Sequence, residues 1–474
     1  MIIANHGVVP ADSRPSYEEL AAENARLRAL FEQLRSELAE LKRQLGMNSQ
    51  NSSKPPWSDS PFTKPAPKSL RRRSGRRPGG QPGHPGSTLE LVDDPDETLR
   101  HEPGSCTRCG AELVQAAQVG MERRQVFDLP PMRVQVTEHQ LIARRCGCGA
   151  TTSAVAPAGV AARVSYGPRI STIILYRYAG QFLSKARTAQ ALAELFATPV
   201  SEGTVATISE RAADGLDGFL DTVRDAIADA KVAGFDESGL RVAGALHWVH
   251  CARTDRYTLI TCHPKRGREG INGAGVLGRF TGVAVHDAWA PYDTYIDPKH
   301  QLCCAHALRE LQAVIDTADP DAQWCWAKQG GDALVAMQNL VHEAGATGVD
   351  PDKLAEQIRL YRSAVQIGVS ETADRADNLT KRHNALARRL RDRHDDYLRF
   401  TTDWRIPSDN NGSERDIRVI KLRQKVSGCM RTLTGAKQFC AIRSYLSTAA
   451  KHGRQLFDTL VMLAEGQPWL PAHA

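Results

Sequence analysis

"KVAGFDESGLRVAGALHWVHCARTDRYTLITCH", residues 231–263, is the stretch on which the fold turns. It divides into "KVAGFDESGLRVAG", "ALHWVHCA" and "RYTLITCH", which read as three successive strands. A helical "EGINGAGVLGRF" (269–280) then leads to another strand, "GVAVHDAWAPYD" (282–293). Asp236 and Asp287 occupy matching places, each ending an apolar run and each sharing a strand face with Val or Gly two and four residues before it. A carboxylate there is costly unless paired or metal-bound. One such Asp reads as a turn initiator or salt-bridge partner. Two at the ends of two core strands point instead to hard cations, which take oxygen ligands.

A third carboxylate heads "SDNNGSERDIRVIKLRQKV" (408–426), where Glu414 precedes Arg415, Arg418, Lys421, Arg423 and Lys425. Local structure alone offers a reason for it: Asn411 as N-cap, with Glu414 reaching back to the cap amide. A helix abutting the same sheet would also bring Glu414 to the two aspartates and complete a two-metal site, with the basic residues behind it facing a phosphodiester backbone. Glu237, Asp293, Asp409 and Asp416 are expected to serve as cap, turn or salt-bridge groups. Between Asp287 and Glu414 the chain is longer than a strand and two helices require. Residues 320–403, with "DKLAEQIRLYRSAV" and "ADNLTKRHNALARRLRDRHDDYLRF", read as a helical insertion. The chain closes with the helical "TGAKQFCAIRSYLSTAAKHGRQLFDTLVML".

Upstream of the strands, residues 163–229 are helical in pattern, and "TAQALAELFATPVSEGTVATISERAADGL" divides into helix, short turn and second helix in the manner of a helix-turn-helix. A plain helical hairpin fits that spacing equally well. Residues 101–158 hold Cys106-x-x-Cys109 and Cys146-x-Cys148 around "MERRQVFDLPPMRVQVTEHQLIARR", whose Val126, Val134 and Val136 and Pro-Pro break predict two short strands. Four thiolates on two glycine-flanked knuckles (Gly110, Gly147, Gly149) suit a structural Zn²⁺ ribbon. Residues 48–100 form a linker. Within it "KPAPKSLRRRSGRRPGGQPGHPG" (64–86) has seven Lys/Arg and no acidic residue, so Arg71, Arg72, Arg73, Arg76 and Arg77 are candidates for phosphate or minor-groove contact. In residues 1–47, Leu20, Leu27, Leu34 and Leu41 repeat at d and Asn24, Phe31, Leu38 and Leu45 at a. Glu23 and Glu37 at g match Arg28 and Lys42 at e, the pattern of a parallel, dimeric coiled coil.

The composition agrees with several soluble domains: 474 residues, 41% apolar, with a net charge of +7 that concentrates in the two basic stretches. No apolar run approaches the ~20 residues of a membrane helix and no leader pattern is evident, so a cytosolic protein is expected. Eleven cysteines in such a chain are expected to stay reduced.

The phrases "GFDESG", "AVHDAWAPYD" and "DNNGSERDIR", together with "NSQNSSKPP", "GGQPGHPG", the leucine-repeat helix and the cysteine pairs, resemble the insertion-sequence-66 (IS66) family of DDE transposases over nearly the whole chain. One phrase departs: "QLCCAHALREL" (301–311) has Cys304 where relatives show Trp, and Cys303-x-x-His306 is read as a structural or DNA-side feature. The resemblance implies a multidomain α+β protein with an RNase H-like α/β catalytic core over residues 230–466. It also implies Asp236, Asp287 and Glu414 holding two Mg²⁺ (or Mn²⁺) per active site, and in-line cleavage and strand transfer at the terminal inverted repeats of an insertion sequence. Arg415, Arg418 and Lys421 are then candidate DNA contacts. The partners implied are double-stranded DNA, a second copy through the coiled coil and two small accessory proteins, in a cytoplasmic, nucleoid-associated setting. The rival expectation is a non-enzymatic, dimeric, zinc-containing DNA-binding regulator, and only the carboxylate set separates the two.

Overall fold

The computed structural model describes residues 16–46, 83, 89–130, 132–157, 159–160, 162–318, 324–375 and 377–472. The expected basic contacts Arg71, Arg72, Arg73, Arg76 and Arg77 lie outside the described residues.

Helix α1 (Tyr17–Gly46) begins with a reciprocal cap in which Ser16 Oγ accepts from the Glu19 amide and Glu19 returns the bond to the Ser16 amide. Its heptad leucines, Leu20, Leu27, Leu34 and Leu41, are all about half exposed, and Phe31 is 65% exposed. An ion pair from Glu40 to Arg382 (2.9 Å) ties the helix to the body.

In the cysteine region the only strands among the described residues are β1 (Ala143–Arg145) and β2 (Thr151–Ser153), an antiparallel pair around the second cysteine knuckle. The strands predicted around the Pro-Pro break do not form. Val126 and Val136 are almost fully exposed, so their alternation has no surface to pack on and no ladder to join.

Four helices follow: α2 (Pro168–Leu175), α3 (Lys185–Phe196), α4 (Glu202–Asp214) and α5 (Asp217–Ala228). Serine caps start α3 and α4, with Ser184 Oγ accepting from the Arg187 amide and Ser201 Oγ from the Thr204 amide. Ala197, in the left-handed region, ends α3 and opens the turn to α4. Val205, Ile208 and Ala212 of α4 face inward, into the core that the sheet shares.

Three long antiparallel neighbours lead the sheet: β3 (Val232–Val242), β4 (Ala245–Arg253) and β5 (Thr258–His263), as their sequence predicts. Ala243 and Gly244, both at positive φ, make the tight turn from β3 to β4. After α6 (Arg268–Gly273), β6 (Val283–His286) joins the other edge of β3 in parallel and β7 (Lys299–Leu302) joins β6 in parallel. The order is β5-β4-β3-β6-β7, with β3 in the centre.

Helices α7 (Cys304–Ile315), α8 (Trp326–Ala344), α9 (Pro351–Glu371), α10 (Asn378–Asp392) and α11 (His394–Leu398) enclose a second core around Trp326, Leu334, Tyr361, Leu390 and Tyr397. Helix α7, before the expected insertion of residues 320–403, packs into the same core as α8 to α11. The helical block is closed at its base, where the Cys304 amide bonds the Ser408 carbonyl (2.9 Å). Then α12 (Asn411–Ser427) lies along β3 and β4, α13 (Leu433–Lys451) along β5, and α14 (Leu456–Ala464) against α2. No described helix is long and apolar enough to cross a membrane.

Candidate active site

Asp236 does not end its strand. β3 runs on to Val242, and Asp236 sits inside it beside Cys251 of β4. Asp287 stands one residue beyond β6, where its Oδ1 accepts from the Trp289 amide (3.1 Å) in a turn that sends the chain away from the sheet.

Glu414 reaches these aspartates because α12 starts at the centre of the sheet. Asn410, buried at the start of that helix, donates its side-chain N–H to the Phe235 carbonyl (2.7 Å) and its backbone N–H to Cys303 Sγ (3.2 Å). Close approach also depends on Gly234, since a Cβ there would collide with Ser413 Oγ. The expected capping role is corrected here. The N-cap is Asn410 and its side chain makes no cap bond, having been recruited by β3. Asn411 is the first helical residue, held by Asp409, whose carboxylate accepts from its amide (3.0 Å) and its side chain (2.7 Å). Glu414 lies a residue too far along to close a capping box. Its carboxylate instead faces His306 Nε2 (3.8 Å) and Arg309 Nη2 (3.6 Å) of α7.

Asp287 and Glu414 both act on Asp236, and Asp287 acts on Glu414. Asp236 is held well above the usual carboxylate range, first by burial and then by Glu237, Glu414 and Asp287. Burial likewise raises Asp287, and Glu310 adds to it. Glu414 is raised by burial and by Asp409 and Asp287, while Arg309 and Arg418 oppose the rise. Burial pushes His306 down to about 4, so it stands beside Glu414 as a neutral imidazole. A cavity of about 400 Å³ opens at Asp287, lined by Arg266, Trp289, His306, Glu310, Arg389 and Tyr397 among others. Among the described residues no three His, Cys, Asp or Glu side chains are gathered tightly enough to surround a single metal ion. The carboxylates share one field across a cleft rather than one coordination shell. An all-oxygen donor set is nonetheless the chemistry that hard divalent cations fit.

The remaining carboxylates each have partners. Glu237 pairs with Arg266 and Tyr292, and Asp293 with Arg393 (2.6 Å). Asp416 accepts from Lys451 (2.6 Å), Thr258 (3.0 Å) and Arg253 (3.2 Å). Of the expected DNA contacts, Arg415 and Arg418 are exposed. Lys421 is half-buried with its ammonium on the Gly239 carbonyl (2.8 Å), and Arg423 is buried over Tyr178 and Phe439. Sequence reasoning missed Arg266, Arg309, Glu310 and Arg389. It assigned His306 no place at the carboxylates, though a histidine in the first turn of α7 was the available signal.

Each cysteine pair forms its own knuckle. The Cys106 amide bonds Ala111 O (2.8 Å) while Gly110, at positive φ, bonds back to Cys106 O (2.8 Å); Cys146, Ala150 and Gly149 repeat the arrangement. Amides of Arg108 and Cys109 lower the Cys106 thiol and that of Cys148 lowers Cys146, which favours the thiolates a metal binds.

Comparison with known families agrees with this architecture. The model described as "Transposase IS66 family" matches residues 163–438, more than half of the chain. The zinc-finger binding domain of transposase IS66 matches residues 103–149, and a family of unknown function (DUF6444) matches residues 8–90. No curated protein matches the chain. The chain belongs to the IS66 family of transposases, enzymes whose partner is DNA.

Proposed function

We propose that the protein cuts and joins DNA at the terminal inverted repeats of an insertion sequence, using divalent metal ions held by Asp236, Asp287 and Glu414. The observation that carries this reading is the convergence of those three carboxylates, from a central strand, the turn after its parallel neighbour and a helix pinned to that strand, near enough that Asp287 and Glu414 both raise Asp236 and Asp287 raises Glu414. The strand order, three antiparallel strands followed by two parallel ones with the first Asp in the centre, supports an RNase H-like core over residues 230–466 interrupted by a helical insertion.

Asp236, Asp287 and Glu414 would hold two Mg²⁺ or Mn²⁺ per site, which would supply charge to neutralise the phosphodiester and to lower the pKa of an attacking water or 3′-hydroxyl. Asp236, on the central strand, would be held in common by the two ions, and Asp287 and Glu414 would each hold one. Arg309 of α7, 3.6 Å from the Glu414 carboxylate, orients it. Neutral His306 borders the cleft without adding a charge that would compete with the metals. Arg415 and Arg418, exposed on α12, meet the DNA backbone, and Lys421 steadies the helix on β3.

The N-terminal parts bring DNA and a second copy to this site. Cys106, Cys109, Cys146 and Cys148 close on one structural Zn²⁺, the exposed leucine row of α1 pairs with the same row of another chain, and Arg71, Arg72, Arg73, Arg76 and Arg77 follow the DNA. Residues 163–229 contact the element ends, and two small accessory proteins complete the assembly. The deciding experiment is a nicking assay on plasmid DNA bearing the element ends. Cleavage that requires Mg²⁺ or Mn²⁺ and disappears in Asp287→Asn supports the reading, and end binding without any metal-dependent cleavage overturns it.

A further inference from the structure

The backbone ladder leaves one distance in the site unset. β3 and β6 pair only at Val232 with Val283, Ala233 with Ala284 and Gly234 with Val285. Asp236 and Asp287 both lie beyond the last of these pairs, where no β3–β6 ladder bond sets their separation and side chains can.

The side chains that bridge this gap form a knot around Glu237, the neighbour of Asp236. Its carboxylate is only 2% exposed, takes two bonds from Arg266 (2.7 and 3.0 Å) and one from the Tyr292 hydroxyl (2.6 Å). The Arg266 guanidinium lies over the Trp289 ring at 4.0 Å and the Trp248 ring at 4.8 Å. Trp289 in turn donates its amide to Asp287 (3.1 Å). Arg266 therefore joins β3, through Glu237, to the turn that carries Asp287, through Trp289. A planar, five-donor cation is the one side chain that can do both at once, forking onto a carboxylate while stacking on indoles.

Resting on the metal-ion reading above, we propose that Arg266 is a positioning residue, which sets the spacing of Asp236 and Asp287 by clamping Glu237 and Trp289 together. It acts through those partners and does not need to touch DNA. Outer partners that orient metal-binding carboxylates typically account for about 10–100-fold in metal affinity or activity.

Full-length Arg266→Lys keeps the positive charge but loses the fork and the stacking, and Glu237→Gln keeps an acceptor for Tyr292 but loses the ion pair. Mn²⁺ binding is measured by calorimetry without DNA, with the Asp287→Asn protein as the baseline, and cleavage is measured alongside. The expected result is Mn²⁺ binding weakened about tenfold or more in both variants, in the range for such partners, with end-DNA affinity unchanged. A salt bridge that only stabilises the fold would lower the melting temperature and leave the Mn²⁺ affinity alone, and that result overturns the proposal. If Arg266→Lys and Glu237→Gln do not fold, Trp289→Leu, which removes the ring under the guanidinium and keeps the backbone amide on Asp287, decides: weaker Mn²⁺ binding supports the clamp and wild-type binding overturns it. If Asp287→Asn binds Mn²⁺ as the wild type does, the metal reading falls and the clamp's role falls with it, an outcome distinct from a failure of the variants alone.

Discussion

Asn410 donates its side-chain N–H to the Phe235 carbonyl at 2.7 Å, fastening the start of the helix that carries Glu414 to the residue just before Asp236. The bond is buried, so no water replaces it. Asn410→Ala leaves that carbonyl unpaired at a cost of about 1–3 kcal/mol and frees the head of α12. Urea unfolding is expected to show the destabilisation, and metal-dependent cleavage is expected to fall more steeply than the loss of folded protein explains.

Gly234 predicts a paired result. Gly234→Ala drives a Cβ into Ser413 Oγ and close to Asn410 Oδ1 (3.1 Å), an overpacking that costs about 1–3 kcal/mol. Adding Ser413→Ala removes the worse collision, so the double variant is expected to recover part of the stability. Strict additivity of the two changes in unfolding free energy would show that they do not meet.

Glu414→Gln separates chemistry from structure. The carboxylate makes no cap bond and its neighbours are a neutral His306 and an Arg309 at 3.6 Å in a partly exposed setting, a pairing worth about 1 kcal/mol or less. Stability is expected to change little while strand cleavage is lost, as also in Asp236→Asn and Asp287→Asn. Wild-type cleavage by Glu414→Gln in Mg²⁺ would transfer the third role to another carboxylate, with Asp409 first in line.

The cysteine knuckles predict one zinc per chain. Elemental analysis of freshly purified protein is expected to find it, and Cys106→Ser or Cys146→Ser to lose it while β3–β7 still unfold as in the wild type. Protein free of zinc yet with the 101–158 module protected from proteolysis would rule the metal out as its staple.

His250 gives a pH dependence. Burial holds its imidazole down to about 4, against a Lys265 carbonyl that favours the proton and His263 and Arg266 that oppose it. Below pH 6.5 the unfolded chain takes a proton that the folded chain refuses, so this contribution falls as pH drops and levels off below about 4. The gap corresponds to on the order of 3 kcal/mol. Asp236, Asp287 and Glu414, raised rather than lowered, act in the opposite sense. The comparison is therefore between wild type and His250→Gln, whose stability difference is expected to shift across pH 6.5 to 4 and hold steady above 7.

The strands were legible because β3, β4 and β5 meet packing on a central sheet, where apolar runs bounded by turns mean what they seem to. The same alternation at Val126, Val134 and Val136 misled because nothing covers that segment. Asp236 and Asp287 were visible as charges in apolar runs. Arg266 and Arg309 were not, since each looks locally like a residue of an ordinary loop or amphipathic helix and acquires its place only when distant strands meet; His306 was noticed, but as a structural or DNA-side feature rather than as the neighbour of Glu414. The cap of α12 was misplaced by one residue for a similar reason: the side chain of Asn410 serves a carbonyl 175 residues away instead of its own helix.

The bond from the Cys304 amide to the Ser408 carbonyl bears on how the chain assembles. Between those residues runs the whole helical block, with its own core and mostly neighbouring contacts, the kind of unit that forms early. Once it has formed, its two ends are side by side, and the search that brings Glu414 back to Asp236 is that of a short loop rather than of a long polymer. For the folding chain the insertion is then a shortcut, and destabilising its core slows the closing of the active site even where no catalytic group has been touched.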